Sequence, residues 1–118
     1  MVSIRGAITL EKNSRDEIID ATEKLLLEIE NRNKLYKEKV ISILFSSTKD
    51  LNAEYPAKAA RLLGYTQCGL MCFNEMDVTG SLEKCIRVLI LYNGNMKQED
   101  VNHVYLRKAK TLRPDLNN

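Results

Sequence analysis

The sequence predicts an α+β fold, in which a mixed β-sheet carries helices on one side. Two apolar and largely β-branched runs, Val40 to Ser46 and Cys85 to Leu91, are typical of buried strands. Segments with helical spacing of apolar residues, bounded by recognisable helix ends, alternate with these strands. The order is β-α-β-α-β-β with a late short strand, and it predicts a single domain over residues 1–118.

The first third of the chain predicts one strand and one helix. Residues 4–10 alternate between apolar and other side chains, which places Arg5 on the opposite face from the apolar residues. Ser14 and Glu17 then form a capping box, and a helix is expected from there to about Glu30. The residues expected on its buried stripe are Ile18, Leu25, Leu26 and Ile29.

The middle of the chain predicts a buried strand and a short helix. Because the run from Val40 to Ser46 is almost continuously apolar, this strand is expected to be covered on both faces. Pro56 at the first helical position and Gly64 after the end predict the short helix. Its Lys58 and Arg61 project from one face, which is either a binding surface or a solvated helix face.

The last third predicts three more strands. They run from about Thr66 to Phe73, over the Arg87 run, and over His103 to Leu106, with a turn from Glu75 to Gly80 after the first of them. Residues 98–102 predict a helical turn, and residues 112–115 a terminal turn. Strands that lack partners within one chain favour oligomerisation.

Composition excludes several functional classes. A net charge of +2, from 18 basic and 16 acidic residues, argues against nucleic acid as a partner. No segment reaches transmembrane length, so no membrane partner is expected, and no targeting segment is recognised, so a cytoplasmic protein is expected. With His103 the single histidine, no metal site is expected, and the cysteines are expected to be reduced thiols: Cys68, Cys72 and Cys85.

Arg87 lies in the middle of the most apolar strand. A guanidinium keeps its proton and is costly to bury unless an anion meets it. Glu75 or Asp77, twelve and ten residues upstream, could provide an internal ion pair. The alternative is an arginine that binds or stabilises an anion in a cleft, because buried ion pairs are a poor source of stability.

Several segments together resemble the monofunctional bacterial chorismate mutases of the AroH class. The resemblance covers nearly the whole chain in order, and it implies a homotrimeric pseudo-α/β-barrel with one active site at each subunit interface. It also implies the Claisen rearrangement of chorismate to prephenate, at the branch point of phenylalanine and tyrosine biosynthesis, without a cofactor. The matching segments are Ile4-Arg5-Gly6-Ala7, Pro56-Ala57-Lys58-Ala59, Asn74-Glu75-Met76-Asp77-Val78-Thr79-Gly80, Lys84-Cys85-Ile86-Arg87-Val88, His103-Val104-Tyr105-Leu106 and Leu112-Arg113-Pro114-Asp115.

The resemblance also implies roles for single residues. Arg87 would reach the ether oxygen and a carboxylate of the substrate. Arg5 and Tyr105 would hold a carboxylate, while Glu75 and Cys72 would address the ring hydroxyl. The alternatives are a packed Cys72, a core Tyr105, and an Arg5 that pairs with a surface acid.

The remaining implied contacts lie at the rim of the site. Tyr55, Lys58 and Arg61 would come from the neighbouring subunit and cover the site, and Tyr55 stands where the family often has phenylalanine. Leu112 and Arg113 would pack near the mouth.

Two other functions remain open on the sequence. One is a non-catalytic, carboxylate-binding regulatory domain, which would need Arg5 and Arg87 but has no use for Glu75 against a ring hydroxyl. The other is an imine deaminase on a similar trimeric scaffold, for which the sequence gives no independent sign.

Overall fold

A computed structural model describes residues 1–116, in which five strands form one sheet and two α-helices pack on it. The predicted α+β class, with helices on one side of a mixed sheet, is confirmed, while the predicted domain end at residue 118 lies outside the described residues. The strands are β1 (Val2–Thr9), β2 (Val40–Ser47), β3 (Gly69–Asn74), β4 (Cys85–Tyr92) and β5 (Val104–Leu106). The helices are α1 (Arg15–Asn33) and α2 (Ala57–Leu62), with short 3-10 helices at Lys37–Lys39, Gln98–Asp100, Arg107–Thr111 and Pro114–Leu116.

The most apolar strand, β4, lies at the centre of the sheet. The strand order is β3-β2-β4-β1-β5 within the described residues. β4 runs antiparallel to both β1 and β2, whereas β3 and β5 run parallel to their neighbours at the two edges. Arg87 stands opposite Ser46 on one side and Ala7 on the other, and Ala7 in turn stands opposite Tyr105.

One face of the sheet is covered by α1 and α2. The four residues predicted for the buried stripe of α1 all have zero exposed surface, and they pack in one cluster with isoleucines of β1, β2 and β4. Gly6 permits this close approach. A Cβ at Gly6 would lie 2.9 Å from both Ile29 Cδ1 and the Val104 carbonyl oxygen.

Helix α1 begins as predicted and ends one turn later. The Ser14 hydroxyl accepts a hydrogen bond from the Glu17 backbone N–H at 3.1 Å. The helix continues to Asn33 because Lys34, with φ of 52°, adopts the left-handed conformation and its backbone N–H bonds back to Glu30. An apolar pattern alone cannot locate such an end.

The second face of the sheet is open over β2 and β3, so the expected coverage of β2 on both faces is wrong for the single chain. Ile43 and Phe45 are buried against the helices, whereas Leu44 on the other face is only half-buried. Met71 and Phe73 of β3 share this open face and are 56% and 48% exposed. A continuous apolar run therefore predicts that both faces of a strand are buried, but it does not indicate whether the same chain or another one covers them.

The third strand begins at Gly69, three residues later than predicted, because the segment before it turns back toward α1. Tyr65 is buried, and its hydroxyl donates a hydrogen bond to the Glu30 carboxylate. Pairing with β2 then starts where Gly69 meets Ser42.

Candidate active site

A cavity of about 320 Å³ opens on the uncovered face of the sheet. Arg5, Arg87 and Tyr105 reach it from β1, β4 and β5. The register brings them together because Arg5 and Ala7 share one face of β1, and Ala7 pairs with both Arg87 and Tyr105. The other lining residues are Gly6, Leu44, Phe45, Ser46, Phe73, Val88 and Leu89.

Glu75 forms an ion pair with Arg87 beside this cavity. Its Oε2 lies 3.2 Å from Arg87 Nε, and the two side chains are 24% and 44% exposed. Asp77, the other acid that the sequence offered, instead pairs with Lys49 Nζ at 2.8 Å. The internal ion pair is therefore present, but the guanidinium remains half-exposed at a cavity wall, where it can also meet an external anion.

A polar network fixes the start of β4. The Asp50 carboxylate accepts hydrogen bonds from the Lys84 backbone N–H at 3.0 and 3.2 Å, which supports the left-handed conformation of Lys84. Thr48 Oγ1 accepts from the Cys85 backbone N–H at 3.0 Å. Burial raises the pKa of the Cys85 thiol to about 11, so this cysteine is a protonated packing residue two positions before Arg87.

His103 holds the backbone of Arg5. Its Nδ1 accepts a hydrogen bond from the Arg5 backbone N–H at 2.9 Å, so the ring is neutral and carries its proton on Nε2. Arg5 Nη2 lies 3.4 Å from that nitrogen. Burial first, and then the positive charges of Arg5 and Arg113, lower the pKa of His103 below its ordinary value of 6.5.

Tyr105 combines the two roles that the sequence left open, since its side chain is buried and also lines the cavity. It packs in a small cluster with Ala7, Cys85 and Ala109, and Leu112 lies against this cluster. Arg113 makes two hydrogen bonds to Asp115, at 2.8 and 3.1 Å.

A second cavity of about 330 Å³ lies beside α2, on the helix-covered side of β3. Tyr55, Arg61 and Cys72 line it together with Ala57 and Leu70, and Tyr55 is 68% exposed. Burial raises the pKa of the Cys72 thiol, so it faces this space as a neutral group. Lys58 is half-buried on the same helix, one turn before Arg61.

The two cavities lie on opposite sides of the edge strand β3. Phe73 lines the first and Cys72 lines the second, as the alternation of a strand requires. Cys72 faces the helix-covered side, whereas the Glu75 carboxylate contacts Ser46 and Arg87 on the open side. Tyr55, Lys58 and Arg61 likewise lie apart from the group around Arg87, so one chain alone does not bring all the predicted site residues together.

Sequence reasoning gave no site role to two lining residues of the first cavity, Ser46 and Phe73, or to His103, which lies behind Arg5. Ser46 was not selected because its run was interpreted only as apolar. Ser42 and Ser46 are an even number of positions apart, however, so the sequence places two hydroxyls on one face of β2. Phe73 was assigned only to a strand. His103 was assigned no role in the site, and its link to Arg5 depends on a parallel pairing that no local pattern encodes.

No group of three or more histidine, cysteine or acidic side chains within residues 1–116 is arranged to hold a metal ion. Among the helices described, none is long and apolar enough to cross a membrane.

Comparison with known proteins identifies the family of the chain. The family model "Chorismate mutase type I" matches residues 1–116. The chain is 46% identical to chorismate mutase AroH of Bacillus subtilis (strain 168) over 114 residues, covering 96% of this chain and 90% of that protein. For chorismate mutase AroH of Thermus thermophilus the identity is 44% over 114 residues, covering 96% and 93%.

A solved structure is also similar. The chorismate mutase from Clostridium thermocellum superimposes with a TM-score of 0.91 at 51% identity, covering 92% of this chain and 97% of that one. The family match, the curated relatives and the shared fold agree along nearly the whole chain, and the chain belongs to the type I chorismate mutase family.

Proposed function

We propose that this chain catalyses the Claisen rearrangement of chorismate to prephenate in a site built around the open-face cavity. The observation that carries the proposal is the convergence of Arg5, Arg87 and Tyr105 from three strands on one cavity, with Glu75 paired to Arg87 at its edge. This arrangement combines two guanidinium groups with one acceptor carboxylate.

The charges of the site fit the substrate. Chorismate is a small dianion, and guanidinium groups are the strongest carboxylate donors in proteins. Arg5 and Tyr105 hold one carboxylate at the β1–β5 side of the cavity. Binding also folds the flexible enolpyruvyl arm over the ring, which removes unproductive conformers before the reaction.

Arg87 supplies the catalytic electrostatics. As the C–O bond breaks, negative charge develops on the ether oxygen, and a fixed guanidinium there stabilises the transition state more than the substrate. Arg87 lies in the central strand, between β1 and β2, so little reorganisation is needed when this charge appears. Leu44, Phe73 and Leu89 provide apolar walls that lower the local dielectric constant.

In this proposal the Glu75 carboxylate accepts a hydrogen bond from the ring hydroxyl. The reaction is pericyclic and moves no proton, so the site needs a hydrogen-bond acceptor there rather than a general base.

We further propose that the chain forms a homotrimer whose sites are shared between subunits. Tyr55 and Arg61 line a different cavity from Arg87, which supports assigning them, with Lys58 of the same helix, to a neighbouring copy. The open sheet face, with its exposed Met71 and Phe73, provides apolar surface for such a contact. In a cyclic trimer each interface joins two different surfaces, which places one such site at each of the three contacts.

The activity test is direct. Purified protein mixed with chorismate should cause loss of chorismate absorbance, and proton NMR should identify prephenate as the product. A protein that binds chorismate without consuming it would instead support a carboxylate-binding regulatory domain. A protein that consumes an imine and leaves chorismate untouched would support a deaminase.

A further inference from the structure

We propose that Ser46 is a positioning residue for Glu75 and Arg87, a role that rests on the proposed function. Its hydroxyl donates a hydrogen bond to one oxygen of the Glu75 carboxylate. The other oxygen therefore remains available to accept a hydrogen bond from the substrate hydroxyl. In the same way the Ser46 hydroxyl keeps Glu75 from occupying the guanidinium nitrogens of Arg87 that the ether oxygen requires.

The contacts around Glu75 are asymmetric. Ser46 Oγ donates to Glu75 Oε2 at 2.6 Å, and Arg87 Nε lies 3.2 Å from the same oxygen. Within residues 1–116, the other carboxylate oxygen, Oε1, makes no hydrogen bond or ion pair. One carboxylate oxygen thus takes both internal donors, and the lone pairs of the other remain available for a ligand.

The backbone fixes this geometry before any ligand arrives. Ser46 and Arg87 stand directly opposite each other in the β2–β4 pairing. The Glu75 backbone N–H also donates to the Ser47 carbonyl oxygen at 2.9 Å. Strand β2 therefore holds Glu75 by both its main chain and its side chain, although Glu75 lies beyond the end of β3.

The Ser46 hydroxyl restrains a competing arrangement. A carboxylate beside a guanidinium favours a bidentate pair that uses two parallel N–H donors. Such a pair would neutralise Arg87 and occupy donors that face developing charge in the reaction. With Oε2 held by Ser46 as well, Glu75 engages Arg87 through Nε, and a guanidinium carries further N–H donors.

Ser46→Ala tests this role, since alanine fits the position and removes only the hydroxyl. We expect kcat to fall about tenfold or more, because hydrogen bonds to charged groups are among the stronger ones, while KM changes by less than about threefold. Ser46→Thr keeps a hydroxyl on a β-branched strand residue and should recover most of the lost kcat. Ser42→Ala is the matched control, on the same face of β2 but opposite Leu91, and should behave like the unmodified chain.

A double-variant comparison separates positioning from a general structural effect. In a Glu75→Ala background no side-chain oxygen is left for the hydroxyl to hold, so adding Ser46→Ala should lower kcat by less than about twofold. Circular dichroism and urea unfolding on every variant check that the fold is retained.

The outcomes are distinct. An unmodified chain without chorismate turnover overturns the proposed function and this inference together. If that chain is active but Ser46→Ala keeps kcat within about twofold, or lowers it as much in the Glu75→Ala background, this inference alone is wrong. The same holds if Ser46→Thr is as impaired as Ser46→Ala.

Discussion

Arg87 occupies a position that suits both an ion pair and a ligand contact. Its side chain is 44% exposed at the cavity although its strand is the central one of the described sheet. A half-exposed ion pair with Glu75 contributes little to stability, because solvent screens it. The value of the pair therefore lies in holding the guanidinium in one place rather than in stabilising the fold.

Replacement of Arg87 should abolish most catalysis without unfolding the protein. In Arg87→Ala the donor for the ether oxygen is lost, and one such donor accounts for about 3–4 kcal/mol of the barrier. Arg87→Lys keeps the charge but loses the planar fork and the Nε contact with Glu75, so it should remain strongly impaired. Steady-state kcat and KM on folded protein are the measurement, and a lysine variant within a few-fold of the unmodified kcat would contradict this role.

His103 should make stability depend on pH. Its pKa in the folded protein lies below the ordinary 6.5, because of burial and the nearby charges of Arg5 and Arg113. Below pH 6.5 the unfolded chain therefore binds more protons, and the free energy of unfolding should fall as the pH decreases through this window until the folded-state pKa is passed. Urea unfolding at about pH 7.5 and about pH 5 measures the loss.

His103→Asn is the control for that experiment. Asparagine retains an acceptor for the Arg5 backbone N–H but does not titrate, so its loss of stability over the same pH interval should be smaller. Equal losses in the two proteins would assign the effect to other groups.

At the scale of single residues, the sequence identified candidate functional residues better than it identified the contacts between them. Arg87 could be selected because a charged group in an apolar strand is costly unless it has a partner. Arg5 and Tyr105 were assigned to the site by the family resemblance. The contacts of Ser46 with Glu75 and of His103 with Arg5 depend on strand register across distant segments, which no local pattern determines. The placement of Cys72 on the side of β3 opposite to Phe73 could have been predicted, because it follows from alternation along one strand.

At the scale of elements, a buried asparagine joins α1 to the segment that leads into β5. Asn33 Nδ2 donates to the Ile29 and Asn102 carbonyl oxygens at 3.0 and 2.8 Å, and Oδ1 accepts from the Asn102 backbone N–H at 2.8 Å. This clamp lies directly before His103 and Tyr105. The end of the helix therefore helps to position one wall of the cavity.

Asn33→Ala should destabilise the fold. It leaves the backbone groups of Asn102 unpaired in a partly buried place, at a cost of about 1–3 kcal/mol. Asn31→Ala, at an exposed position of the same helix, should change the free energy of unfolding by less than about 0.5 kcal/mol. Urea unfolding compares the two, and equal effects would show that the clamp contributes nothing of its own.

The elements themselves were largely predictable because the local signals agree with the fold. Alternation predicted β1, capping predicted the start of α1, and the proline and glycine at its two ends predicted α2. The errors occur where distant contacts decide, as at the end of α1, set by Lys34, and at the start of β3, set by pairing with Ser42. The short 3-10 helix at Arg107–Thr111 was not predicted either.

At the scale of the whole molecule, the distribution of polar residues over two cavities is the central feature. One cavity contains Arg5, Arg87 and Tyr105, and the other contains Tyr55, Arg61 and Cys72. Since β3 separates them, a single chain offers two incomplete sites. We therefore expect that a complete site requires two chains.

Mixing two inactive variants tests this prediction most directly. Arg87→Ala and Arg61→Ala are each measured alone and then refolded together at equal ratio. If Arg87 and Arg61 reach one site from different chains, about a quarter of the sites in random mixtures contain both, because each site draws independently on two subunits. A mixture of Arg87→Ala with Arg5→Ala is the control, which should gain nothing because both residues belong to one chain's cavity.

We expect the first mixture to recover about a quarter of the unmodified activity per site and the control mixture to stay at the level of its parents. Native mass spectrometry verifies that mixed trimers formed in both samples. Mixed trimers of Arg87→Ala and Arg61→Ala with no more activity than the separate variants would contradict a site shared between chains, and would place the complete site within one chain.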